Sequence, residues 1–187
     1  MSLSLLKKIP IDVPLVVDLD GSLLDGDGSH LTVAHYLVSS PTAVIRCLLW
    51  LLKGRNYLRC QAVANYQIDH SKLKLRHQVV DIIQQEKKSG RKLILATGSP
   101  EPLGVRINQE YFFFDYVLGS RVDYHCVGKR KLGAIRSLIK DSEFIYIGDS
   151  HNDLAIWADA PYAILVNPSQ SLEEKAQKCS EVLGIIK

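Results

Sequence analysis

The chain has 187 residues, 47% of them hydrophobic, and a formal net charge of +3. That length and apolar content support one sizeable core with a small appended lobe, and they exclude a disordered or fibrous chain. Cys47, Cys60, Cys126 and Cys179 form no CxxC pair, so neither a zinc knuckle nor a disulfide framework is expected; the broken apolar run from Met1 to Pro10 does not read as a secretory leader, and a cytoplasmic, reducing compartment follows as the default.

In chain order, Pro14 to Leu19 is a compact apolar run of the kind that forms a central parallel strand, and it ends on Asp18 and Asp20. From Leu31 to about Asp69 the pattern is helical, with Pro41 and Gly54 as breaks. Between Leu31 and Val80 the bases are Arg46, Lys53, Arg55, Arg59, Lys72, Lys74 and Arg76, and Asp69 is the only acid. Such a block either favours an anionic partner (a phosphorylated metabolite, a lipid headgroup or nucleic acid) or is a solvated helical surface. Within it, "AVIRCLLWLLKG" from Ala43 to Gly54 is too short to cross a bilayer. It reads as a helix buried in a small bundle, with a helix lying on a membrane as the alternative.

Leu75, Val79, Ile82 and Ile83 recur at helical spacing, and Gly90 stands where a helix would be capped. Short apolar runs at 92–97, 115–120, 144–149 and 162–167 then alternate with helical stretches, one of which carries Leu132, Ile135, Leu138 and Ile139 on one face. Alternation of this kind predicts an α/β parallel sheet with right-handed crossovers, whose chemistry gathers at the carboxyl ends of the strands.

Three of those ends carry polar residues whose types suggest a shared site. Asp18 and Asp20 close the first strand, Thr97, Gly98 and Ser99 the second, and "GDSHND" at 148–153 a later one. If these turns meet, the carboxylates of Asp18, Asp20, Asp149 and Asp153 converge beside a hydroxyl and a glycine turn, a concentration of charge that needs a cation. Hard oxygen donors with no thiolate or imidazole point to Mg²⁺.

With these residues in place, the sequence resembles the haloacid dehalogenase-like superfamily of phosphohydrolases. "DLDGSLL" resembles its first motif, with Ser22 at the usual threonine; "ATGSP" resembles the second and "GDSHND" the fourth. The resemblance implies a Rossmann-like parallel sheet with helices on both faces and a small helical cap inserted after the first strand: core 1–24, cap 25–80, core 81–187. It further implies Asp18 as nucleophile, Asp20 as acid and base, phosphate held by Thr97, Gly98 and a lysine, and a metal held by Asp18, Asp149, Asp153 and the backbone carbonyl of Asp20. Lys131 is the expected lysine and Lys129 its rival; Asn152 is expected to orient Asp149 or Lys131, whereas His151 reads as an exposed turn residue. Ser99 either shares the phosphate or satisfies its own turn.

The implied reaction is Mg²⁺-dependent hydrolysis of a phosphomonoester, with phosphotransfer through the same intermediate or a non-catalytic binding domain as alternatives. No nucleic-acid recognition motif is present. The run through "LLWLLKGR" to "GDSHNDLAIWADAPYAILVNPS" is further similar to the phosphatase-like domain joined to some bacterial membrane prenyltransferases. That narrower resemblance implies a phosphorylated small molecule or prenyl-linked phosphate as substrate, a membrane prenyltransferase as partner, and a place at the inner face of the membrane.

Overall fold

The computed structural model describes residues 6–187, so part of the stretch in which no leader is expected lies outside the described residues. Among the described residues six strands, β1 (Leu15–Val17), β2 (Leu93–Pro100), β3 (Tyr116–Ser120), β4 (Ile145–Gly148), β5 (Tyr162–Val166) and β6 (Glu181–Ile186), form one sheet in the order β3-β2-β1-β4-β5-β6. Every pairing is parallel. The strand order therefore reverses at β1, whose neighbours are β2 and β4, and a crevice opens at the carboxyl ends of these three strands.

In β1, β2 and β4 successive side chains point to opposite faces of the sheet. Leu15, Val17, Leu93, Leu95, Ile145 and Ile147 pack with Val79, Ile82 and Ile83 of α4 (His77–Lys88) and Leu103 and Ile107 of α5 (Glu101–Tyr111). On the other face Val16, Ile94, Ala96 and Tyr146 pack with Ile135 and Ile139 of α6 (Lys129–Ile139), Ile156 and Trp157 of α7 (Leu154–Trp157) and Leu172 of α8 (Gln170–Gln177). Helices thus cover both faces of a parallel sheet.

The insertion after β1 holds α1 (Gly28–Ser39), α2 (Pro41–Leu51) and α3 (Arg55–Asn65). Asp27 caps α1 by accepting from His30 N, and Ser40 caps α2 by accepting from Ala43 N, with Pro41 in the first turn where a missing N–H costs nothing. The three helices share a small apolar centre of Tyr36, Ala43, Cys47 and Ala62, against which Trp50 stacks on Tyr36 at 5.4 Å. The end of the cap expected at residue 80 falls inside α4, which runs unbroken from His77 and gives its apolar side to the main core.

The expected burial of the Ala43–Gly54 stretch is not met. Ala43 and Cys47 are buried and Trp50 half-buried, while Val44, Ile45, Leu48, Leu49, Leu51 and Leu52 are exposed. A bundle of three helices covers only one side of α2. The cap is seated on the core: Asn56 Nδ2 donates to Arg121 O at 2.7 Å, and Arg106 Nη1 donates to Val63 O at 2.9 Å.

Candidate active site

Asp18 follows β1 directly, and its backbone N–H still donates to Ile147 O at 2.9 Å, so the sheet itself fixes its position. Its buried carboxylate accepts at Oδ1 from Lys131 Nζ, 2.7 Å away. Lys131, in the first turn of α6, also donates to Tyr146 Oη at 3.0 Å and to Asp153 Oδ1 at 3.4 Å. The Tyr146 hydroxyl, projecting from the middle of β4, donates to the same Asp153 oxygen at 2.7 Å. Asp153 Oδ2 closes the turn after β4 by accepting from Ser150 N at 3.0 Å, Ser150 Oγ at 2.9 Å and Asp149 N at 3.3 Å.

Asp149 is half-buried and lies against Gly21, where φ is +78° and a β-carbon would collide with the Asp149 carboxylate. Both the left-handed backbone and the close approach require glycine there. One carboxylate oxygen from each of Asp18, Asp149 and Asp153 lies within 4.8 Å of the others. Lys131 alone cannot neutralise three carboxylates. Burial pushes the Asp18 carboxyl up to about 8, opposed by Lys131 and reinforced by Asp153. Asp149 rises to about 6, from burial first and then from Asp153. Burial alone would lower Lys131, but Asp18 and Asp153 hold it well above the ordinary lysine value. An all-oxygen cluster with this excess of negative charge fits a divalent cation.

Asp20 faces the other way. Its Oδ1 accepts from Gly28 N at 2.8 Å, at the start of α1, and its Oδ2 from Ser99 Oγ at 2.5 Å and Thr97 Oγ1 at 3.3 Å, at the end of β2. Burial, and next the charge of Asp27, raise its carboxyl above the usual range. Thr97 Oγ1 accepts in turn from Ser99 N at 2.9 Å, and the Gly98 carbonyl accepts from Ser120 Oγ at 2.7 Å, which shapes the turn between them. Asp20 adds no carboxylate to the triple cluster.

The cap adds a residue from the basic block, for which the sequence left both an anionic partner and a solvated surface open. Arg59 of α3 is turned inward, with Nε donating to Ser29 Oγ at 2.6 Å and Nη2 lying 3.3 Å from both Ser99 Oγ and Asp27 Oδ2. Asp27 titrates below the usual range: burial works against this, but the His30 N–H and the Arg59 guanidinium outweigh it. Arg59 precedes the buried Ala62 and Val63 by three and four positions, which is the helical spacing that marks it as inward-facing.

Asp18, Lys131, Asp149 and Asp153 are thus brought into one cluster, and Asp20, Thr97 and Ser99 into an adjoining one. Lys129, at the exposed start of α6, stays out of both. Asn152 and His151 are exposed in the turn after β4, and the groups around the Lys131 ammonium are Asp18, Tyr146 and Asp153 rather than Asn152. Tyr146 escaped the sequence reading. Its signal was a tyrosine in the centre of an apolar strand, where a buried hydroxyl needs a partner.

The model of a family described as haloacid dehalogenase-like hydrolase matches residues 15–157. The chain is 30% identical over 166 residues to the uncharacterized protein y4nM of Sinorhizobium fredii (strain NBRC 101917 / NGR234), an alignment covering 89% of this chain and 32% of that protein. It spans about a third of the length of that relative. Among solved structures, a protein of unknown function from Bordetella pertussis Tohama I superimposes with a TM-score of 0.68 at 17% identity, covering 94% of this chain and 99% of that one. A phosphoserine phosphatase in its apo form gives a TM-score of 0.65 at 14% identity, covering 94% of each chain. At these identities the likeness to the solved structures is one of fold.

Proposed function

Because the chain belongs to the haloacid dehalogenase-like hydrolase family, we propose that it hydrolyses a phosphomonoester of a small molecule through an aspartyl-phosphate on Asp18. The observation that carries this reading is the cluster of Asp18, Lys131, Asp149 and Asp153, set beside an Asp20 held by hydroxyls. Mg²⁺ is the proposed cation, held by Asp18, Asp149, Asp153 and the Asp20 carbonyl; when bound it offsets the carboxylate charge and polarises the phosphoryl oxygens.

The rest is the work of the chain's own groups. The Asp18 carboxylate attacks phosphorus and displaces the leaving oxygen, splitting hydrolysis into two displacements. Lys131 and the Thr97–Gly98 turn receive charge on the phosphoryl oxygens. Asp20, whose burial raises its proton affinity, gives a proton to the leaving oxygen and takes one back from the water that cleaves the acyl phosphate. Arg59 and the seated cap exclude water and face the leaving group.

The finer relations follow from the sequence resemblance. We place the protein in the cytoplasm at the inner face of a membrane, with prenyl-linked phosphates within its substrate range and a membrane prenyltransferase as partner. The unpaired state of all four cysteines suits a reducing compartment. Among the described residues no helix is long and apolar enough to cross a membrane.

The test is phosphate release from a panel of phosphomonoesters with and without Mg²⁺. Sugar phosphates, nucleotides, phosphoserine and a prenyl phosphate belong in it, phosphoserine because a phosphatase for it shares the fold. Release that needs Mg²⁺ and disappears in Asp18→Asn is expected. Silence across every substrate class removes the proposal.

A further inference from the structure

Helix α2 is the outer member of the cap. It packs on α1 and α3, and these two in turn pack on β2. Ala43, Cys47 and Trp50, at positions i, i+4 and i+7, face inward. Val44, Ile45, Leu48, Leu49 and Leu52 recur on the opposite side at i, i+1, i+4, i+5 and i+8, the spacing of one continuous stripe. These are not shallow exposures: Ile45 is 61% exposed, Leu48 60% and Leu52 84%. A contiguous apolar stripe of this kind on a folded chain marks a docking surface.

Its surroundings identify what docks. Arg46, Lys53 and Arg55 are exposed beside the stripe, and no acidic residue occurs from Gly28 to Ile68. None of the three enters an ion pair among the described residues, whereas Arg59, the remaining base of α2 and α3, is engaged inside with Asp27. A second copy docked symmetrically on this face would set these bases against the same bases, because a two-fold interface repeats one patch on both partners. An anionic bilayer supplies both halves of the match, acyl chains for the stripe and phosphate or carboxylate headgroups for the bases.

The geometry points to α2 as an interfacial helix that seats the protein on an anionic membrane. The inference rests on the membrane-face placement proposed above and is independent of the phosphatase chemistry. Since α1 and α3 lie between α2 and the carboxyl end of β2, docking through α2 sets the cap between the active site and the lipid surface.

The experiment is co-sedimentation of the full chain with vesicles of phosphatidylcholine alone and of phosphatidylcholine mixed with phosphatidylserine. Binding to the mixed vesicles, weakened by salt, is expected. A variant with Arg46, Lys53 and Arg55 changed to Gln should bind about a hundredfold less tightly, at roughly fivefold per basic residue near the surface. Leu48→Gln with Leu49→Gln should abolish binding, while phosphate release from a soluble substrate stays unchanged in both variants, since none of these residues reaches the site. Absence of vesicle binding by the unaltered chain at low salt overturns the inference, as does equal binding by all variants. A dimer in sedimentation velocity that Leu48→Gln dissolves assigns the face to a second copy and overturns it too. Loss of the phosphatase reading would leave vesicle binding intact, so the two failures are separable.

Discussion

The Lys131 ammonium lies 2.7 Å from Asp18 Oδ1 in a buried pair, yet Asp18 still holds its proton up to about pH 8. Desolvation and the neighbouring Asp153 outweigh the one cation. Folded-state values above the ordinary 3.8 mean that the native chain binds more protons than the unfolded one between about pH 4 and 8. The stability contributed by Asp18 and Asp149 is therefore fully present below 3.8 and is lost as pH rises through about 6 and then about 8. Mg²⁺ requires the ionised carboxylates, so its binding should release protons and stabilise more at pH 8 than at pH 6. With free Mg²⁺ at a hundred times its Kd, the gain is about 2.7 kcal/mol, or a rise in Tm of roughly 5–10 °C for a chain of this size. Thermal unfolding with and without Mg²⁺ at the two pH values checks this, and identical shifts at both would contradict it.

Asp18→Asn should remove the covalent intermediate while leaving the fold in place. Turnover should fall by roughly four to six orders of magnitude, as for loss of a nucleophile elsewhere. The metal-free variant should also unfold at a higher temperature than the parent at pH 8, because a buried carboxylate has been replaced by a neutral amide. Acid-quench trapping of phosphoenzyme is the direct assay; a normal yield in the variant would place the nucleophile elsewhere.

Asp20→Asn should separate leaving groups by their need for a proton. An alkyl phosphate should lose about 10²–10⁴ in rate, whereas a nitrophenyl phosphate, whose leaving oxygen departs unprotonated, should form phosphoenzyme nearly normally and then accumulate it. Single-turnover kinetics with both substrates makes the comparison. A uniform loss would indicate that Asp20 only positions its neighbours.

Tyr146→Phe deletes the hydroxyl that joins Lys131 to Asp153. Loss of one buried, charge-assisted partner should cost about 1.5–3 kcal/mol in urea unfolding, and Mg²⁺ affinity should weaken by about 10–100-fold, as for groups that orient metal ligands. KM for a soluble phosphomonoester at saturating Mg²⁺ should change little. An unaltered Mg²⁺ affinity would restrict Tyr146 to packing.

The sheet was legible because each of the strands β1, β2, β4 and β5 is an apolar run ending in a polar turn, and the acidic ends of β1 and β4 had no other use. β6 was not, since Glu181 to Ile186 forms a half-exposed edge strand whose Gly184 interrupts any clear pattern. The Asp18, Asp149 and Asp153 cluster could be read from residue type and order. Arg59 could not be read from charge, because a base in a positive block looks solvated until its helical face is considered. The stretch from Ala43 misled in the opposite sense: apolar composition reports a wish for burial, and only the number of available neighbours decides whether that wish is met.

Strand β1 is three residues long, and Val16 pairs with Ile94 on one side and Tyr146 on the other. Neither partner is near in sequence, so the central strand gains its hydrogen bonds only after two long loops have closed. Asp18 inherits that dependence, since its amide is held by Ile147. The chain therefore has no reactive half-built state: a nascent or nicked molecule lacking β4 would carry the nucleophile on an unsupported tether, without Lys131 and Asp153 in register. Chemical competence arrives with completion of the sheet, and catalytic turnover would serve as a sensitive gauge of whether the whole molecule has folded.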